Sequence, residues 1–233
     1  MRPAPIMMLG AILLVGSVPA VAGCDSSVGQ VTAQNSYTVT EPVTSIKIDN
    51  PVGDTELEGT DTATISVTER LHYSGNPPQT RYPVSGGQLS LSYSCPGVFD
   101  VHSCSVTYVV KIPRYLAVQI DDQVGAIKLT GLAGQLKLTS ATGSIDATGL
   151  TSNAVAARAR AGAITLQFSA PPSTVDAQTD VGSITVRLPA GSAYAVDAGS
   201  QVGSDNVTVQ QDPGSAHQIT ARSQVGAIRV TNG

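Results

Sequence analysis

Apolar and polar residues alternate in short runs along the second half of the chain, and each run breaks at a glycine before resuming. Aligned on those glycines, six blocks appear, at Gly125, Gly143, Gly162, Gly182, Gly203 and Gly226. Seven positions before each stand Val118, Leu136, Val155, Val175, Val196 and Ile219, and five before stand Ile120, Leu138, Ala157, Ala177, Ala198 and Ala221. Two after come Ile127, Ile145, Ile164, Ile184 and Ile228, and four after come Leu129, Ala147, Leu166, Val186 and Val230. The Gly203 block carries two extra residues, Asp205 and Asn206, before its own pair, Val207 and Val209. Side chains two apart lie on one face of a strand, so each block predicts two short strands with one buried face, joined at a turn. A divergent first block lies upstream, where Ile46 and Ile48 precede Gly53 and Leu57 follows it.

Successive glycines from Gly125 lie 18, 19, 20, 21 and 23 residues apart. Outside the Gly203 block, the variation falls in the connectors between blocks. A constant block with an elastic connector is expected when blocks stack on one another and connectors face water. The pattern therefore predicts an all-β solenoid, a β-helix-like stack of two-strand coils of about 18–23 residues. The glycine at each turn supplies a positive φ that a β-branched neighbour such as Val181 cannot adopt cheaply.

Residues 60–113 interrupt the repeat. Alternation at 64–68, 88–93 and 105–112, with a Gly-Asn-Pro-Pro turn at 75–78, predicts longer antiparallel strands inserted near the N-terminal end as a cap. At the other end the last block, 219–230, leaves only three further residues to cover it. Its strand edge is expected to be open and available for self-association or for strand addition by a partner.

Composition changes this picture in two ways. Only 4% of the 233 residues are aromatic and none is tryptophan, so the core must be built from small aliphatic ladders. The net charge of −4 comes with no basic stripe, which argues against a nucleic-acid partner. The first 23 residues read as a signal peptide, with Arg2 ahead of an apolar run and small residues behind it. Val21-Ala22-Gly23-Cys24 resembles the bacterial lipobox. That resemblance implies cleavage before Cys24, lipid on its thiol, and a protein anchored on the outer face of the cell membrane. Residues 24–36 are polar and aperiodic and read as a tether, with the folded domain spanning 37–233.

Candidate chemistry is sparse. Cys95 and Cys104 bracket a short loop containing His102, and in an exported chain they predict a structural disulfide rather than a metal site, which would want four ligands. His72, His102 and His217 are scattered, and no nucleophile elbow or phosphate-binding loop occurs, so neither an enzyme nor a cofactor is expected. Asp121 and Asp122 are adjacent and should face opposite sides of their strand, which denies them an acid/base pairing. These acids, with Asp180 and Asp205, read as solvated turn residues. Arg158 and Arg160 fall on the outward face of one strand, where they are candidates for binding an anionic glycan or wall polymer.

The glycine-centred blocks, the opening SIKIDNPVGDTELEG at 45–59 and the lipobox-like segment together resemble the bacterial "putative adhesin" domain family over about residues 40–233. The resemblance implies an exported or membrane-anchored β-solenoid and carries no catalytic residues with it. It favours a lipid-anchored binding or adhesion protein acting through the solenoid surface on an envelope protein or glycan. An envelope-stress or signalling accessory that serves as a protein-interaction module is the alternative. A carbohydrate-active β-helix enzyme is disfavoured, because no acidic cluster recurs from coil to coil.

Overall fold

The computed structural model describes residues 30–96 and 104–233, which form twenty strands and no helix. In chain order these are β1 (Val31–Val39), β2 (Ser45–Val52), β3 (Thr55–Thr60), β4 (Ile65–Tyr73), β5 (Gln79–Arg81), β6 (Val84–Ser85), β7 (Gln88–Ser94) and β8 (Cys104–Pro113). The repeat region continues with β9 (Ala117–Val124), β10 (Ile127–Thr130), β11 (Leu136–Thr142), β12 (Ile145–Leu150), β13 (Ala154–Ala161) and β14 (Ile164–Phe168). It ends with β15 (Thr174–Val181), β16 (Ile184–Leu188), β17 (Ala195–Val202), β18 (Asp205–Val207), β19 (Gln218–Val225) and β20 (Ile228–Asn232). Each block places its first strand in one sheet and its second in the other, and the blocks stack in parallel. The sheet holding β3 and β10 is sheet A, and the one holding β2 and β9 is sheet B.

The two-residue period is what builds the core. Ile127, Ile145, Ile164, Ile184 and Ile228 pair in register as one column, and none has measurable exposure. Leu129, Ala147, Leu166, Val186 and Val230 form the next column along. Sheet B answers with columns through Val118, Leu136, Val155, Val175 and Ile219, and through Ile120, Leu138, Ala157, Ala177 and Ala221. Small residues on the sheet B side let the two sheets approach closely, which is how a core without tryptophan fills its space.

Glycine is required at the turns for two reasons. Gly182 has φ +153°, and a Cβ there would also overlap the carbonyl oxygen of Gly162 stacked beside it. The other block glycines repeat this contact and make a continuous glycine corner along the solenoid. Three residues before most of the block glycines lies a polar residue whose hydroxyl or amide donates to a turn carbonyl. Asn50 Nδ2 donates to Gly53 O (2.9 Å), Thr179 Oγ1 to Gly162 O (3.1 Å) and Ser223 Oγ to Gly182 O (3.1 Å). These bonds satisfy acceptors that the tight turn would otherwise leave unpaired inside the protein.

The far end departs from sequence order. The last block, β19 and β20, lies between the β15/β16 coil and the β17/β18 coil, so 219–230 is covered on both sides and is not the open edge expected of it. The Gly203 block carries no insertion either: Asp205 pairs with Ile228 and Val207 with Val230, which puts a carboxylate at the isoleucine position. A carboxylate buried between two coils would be desolvated without a partner. At the end of the stack it stays exposed, and its Oδ2 accepts the Ser200 N–H (3.1 Å). The residues after β18 finish the cap. Val209 is buried over the end of the core, Tyr194 N donates to Gln210 O and Asp212 N donates to Tyr194 O. The strands left at this end are β18, only three residues long, on sheet A, and the eight-residue β17 on sheet B.

The N-terminal end also corrects the expected insertion. β7 and β8 are an eighth coil, stacked in parallel on β2 and β3 with Leu89 beside Ile46 and Tyr108 beside Thr55. A disulfide between Cys95 and Cys104 closes this coil near the corner where the others carry glycine. Only the strands beyond it are antiparallel: β4 and β1 on sheet A, β5 and β6 on sheet B. Tyr37 of β1 stacks on Tyr82, between β5 and β6, at 4.1 Å and ties the two sheets together across the end. Since β1 starts at Val31, residues 31–36 are paired strand rather than tether.

Candidate functional site

The outer face of sheet B carries two depressions. Outward residues of β9 to β15 alternate with the core columns, so each coil contributes side chains at the same height. A shallow groove of about 490 Å³ runs across these strands parallel to the solenoid axis. Ala117, Ala154 and Ala156 keep part of its lining low, while Gln88, Gln119, Gln135, Lys137, Arg158 and Asp176 supply polar groups. A second, smaller hollow of about 280 Å³ lies toward the glycine corner, lined by Asp121, Gln123, Thr139, Arg158, Arg160 and Asp180 among others.

Arg158 and Arg160 both point outward, as their spacing predicted, and Arg158 lines both depressions. It is not a free cation, since Arg158 Nη2 donates to Asp176 Oδ2 at 2.6 Å in the next coil. The pair is half exposed and contributes little to stability, but it fixes the guanidinium against the groove. Arg160 makes no ion pair among the described residues and stands in register with Asp180, whose Oδ1 accepts from Gln224 Nε2 (2.9 Å).

The acidic residues separate into two kinds. Asp121 faces outward and accepts from Gln119 Nε2 (2.9 Å), while Asp122 faces inward with 1% exposure. Their opposite directions agree with strand parity and prevent joint acid/base work. Asp122 is nevertheless not a solvated turn acid. Burial pushes its carboxyl up to about 8, the hydrogen bond from Thr55 Oγ1 (3.2 Å) opposes that rise, and the nearby Asp54 and Asp121 charges add to it. A carboxyl so perturbed often marks a functional site. Here the side chain is walled in by the coils on either side and turned into the core, where it takes part in the corner hydrogen bonding. The sequence carried one signal for this, the recurrence of Asn, Ser or Thr three positions before most of the glycines.

The remaining sites are quickly placed. Cys24 and His102 lie outside the described residues. His72 Nδ1 lies 3.2 Å from Thr32 Oγ1, and His217 Nδ1 donates to the Pro172 carbonyl (2.7 Å), so the two do not converge. The described residues include no group of three or more histidine, cysteine, aspartate or glutamate side chains placed to hold a metal ion.

No curated protein matches the chain. Among solved structures, a "putative cell adhesion protein" from Clostridium sporogenes is similar at 18% identity and a TM-score of 0.50, over 87% of this chain and 100% of that one. A "putative adhesin" from Bacteroides fragilis is similar at 15% identity and a TM-score of 0.46, over 87% of this chain and 97% of that one. At 18% identity the first of these speaks for a shared fold alone. The family match is more direct, covering residues 100–231 and thus more than half of the chain, and with it the stacked glycine-cornered coils place this protein in the Toastrack DUF4097 family.

Proposed function

We propose that the protein is a non-catalytic binding protein of the adhesion type, lipid-anchored through Cys24 on the outer face of the cell membrane. It engages an extended envelope polymer, most simply a glycan strand, along the outer face of sheet B. The observation that carries this reading is the groove parallel to the solenoid axis, to which successive coils contribute the polar groups of Gln88, Gln119, Lys137, Arg158 and Asp176. Coils about 4.8 Å apart offer a chain ligand evenly spaced hydrogen-bonding partners, which suits an extended polymer better than a compact small molecule. The names carried by the similar structures agree with binding. On this face Asp49 and Asp121 stand in register on neighbouring coils, but each accepts a hydrogen bond within its own strand, from Lys47 Nζ and Gln119 Nε2 (2.9 Å each), and Asp176 is held by Arg158.

A glycan and wall-polymer array probed with the Cys24→Ser protein, which lacks the acylated thiol, tests the binding face. Lys137→Ala and Arg158→Ala together should weaken any binding found by about tenfold or more. Full binding by the double variant, or no binding to any envelope polymer, would refute the assignment. Cell fractionation tests the anchor separately: the natural sequence should remain with membranes, and Cys24→Ser should be released.

A further inference from the structure

Seven large apolar side chains are conspicuously exposed among the described residues, and four of them, Val124, Val181, Val202 and Val225, each immediately precede a corner glycine. They are between 47% and 64% exposed. Strand parity alone would turn them inward, but at the corner the chain has passed the end of the core. In register they form a line running Val124, Thr142, Ala161, Val181, Val225, Val202 without a charged residue. On the other side of each of these glycines stands an alanine or a serine, so no charge interrupts that flank either. Five steps between parallel strands make the line about 24 Å long.

The start of the chain comes in on this same side. Val31, a fifth exposed apolar residue, pairs with Tyr73, which pairs with Cys104. Cys104 is two residues ahead of Val106, whose carbonyl abuts Gly53, so β1 begins just past the glycine corner. Six residue steps separate Cys24 from Gln30, which span at most about 20 Å. An acyl chain on Cys24 would therefore hold the beginning of the valine line close to the bilayer.

We infer that the valine corner is a lipid-facing surface, on which the acylated protein lies with its glycine corner against the membrane and the outer face of sheet B open to the side. This rests on the lipid-anchor reading above. Single valines at a bilayer interface bind weakly, so the corner does not recruit the unlipidated protein; the tether supplies the local concentration that makes the contact persist. The occupant is a lipid surface rather than a second copy, because the chain enters the fold at this corner, within reach of an anchor on Cys24.

The test uses the full lipidated protein in phosphatidylethanolamine–phosphatidylglycerol vesicles. With Cys24 acylated and Cys95 paired to Cys104, a new cysteine is the single reactive thiol. Val181→Cys and Val225→Cys carry an environment-sensitive fluorophore, with Ser169→Cys at the opposite corner as reference. Brominated acyl chains should remove most of the emission at positions 181 and 225 and spare position 169. Equal emission at all three sites overturns the inference. So does a corner shielded from water-soluble quencher, untouched by brominated lipid and dependent on protein concentration, which would mean a second copy covers it. Flotation reads the anchor independently. A parent protein that does not float defeats the anchor and this inference together, whereas one that floats with unquenched corner probes defeats this inference alone.

Discussion

Replacing Asp122 with asparagine should stabilise the protein at alkaline pH and change little in acid. Asp122 Oδ1 accepts from Thr55 Oγ1 at 3.2 Å, while its Oδ2 is buried with no partner. Asn50, beside it in register, spends Nδ2 on Gly53 O, Asp54 O and Thr55 Oγ1 (2.9, 3.4 and 3.1 Å), and its Oδ1 is likewise buried and unpartnered. A proton on Asp122 Oδ2 turns one of two adjacent orphan acceptors into a donor. The folded protein keeps that proton up to about pH 8, while an unfolded chain releases it near the ordinary value of 3.8. Across that window the folded state binds more protons, so the stability present below pH 4 is lost as pH rises, with no further change above about 8. The full span corresponds to on the order of 5 kcal/mol, an upper figure because local opening and water entry relieve part of it. Asp54 and Asp121 are the negative charges acting on the group, and both deepen the effect. In the Asp122→Asn variant the side-chain amide would offer an N–H where the carboxyl carries its proton, at every pH. Denaturant unfolding of both proteins at pH 5 and pH 9 gives the test through the difference between their curves, in which other titrating groups cancel. Parallel stability-versus-pH curves for the two proteins would refute the reasoning.

Other expectations come from the stack itself. Gly182→Ala meets both a strained φ and the Gly162 carbonyl, and should cost roughly 3 kcal/mol or more in denaturant unfolding, where a turn needing only flexibility would lose about 1. Ile164→Ala should cost about 2–4 kcal/mol by loss of burial and the cavity left in the isoleucine column, and Thr165→Ala, which faces outward in the same strand, well under 1; equal losses would contradict the period on which the core rests. Asp205→Ile completes the isoleucine column at the end of the stack and removes the carboxylate that caps Ser200 N–H. Sedimentation should then show concentration-dependent association beyond that of the natural sequence, and unchanged sedimentation would mean that Asp205 does not guard the edge.

What could be read directly from the residues was everything governed by local rules. Strand parity placed Ile127, Ile145, Ile164 and Ile184 in one buried column and sent Arg158 and Arg160 outward, because side-chain direction depends only on position along the strand. The glycines declared themselves because no other residue fits both the φ and the neighbouring carbonyl. The order of the coils was not legible in the same way. Every coil presents nearly the same apolar pair at the same register, so any coil is a fair neighbour for any other, and pattern alone cannot say which will sit beside which. That was decided in three dimensions, where Asp205 is tolerable only at an end and the 208–217 connector is long enough to bring the last block back inside. The β7/β8 coil stayed hidden because Pro96 stands seven positions after Leu89, where the block pattern places glycine. The groove, the Arg158–Asp176 pair and the burial of Asp122 likewise belong to the stack, since each joins residues from different coils that meet only when parallel strands set their register.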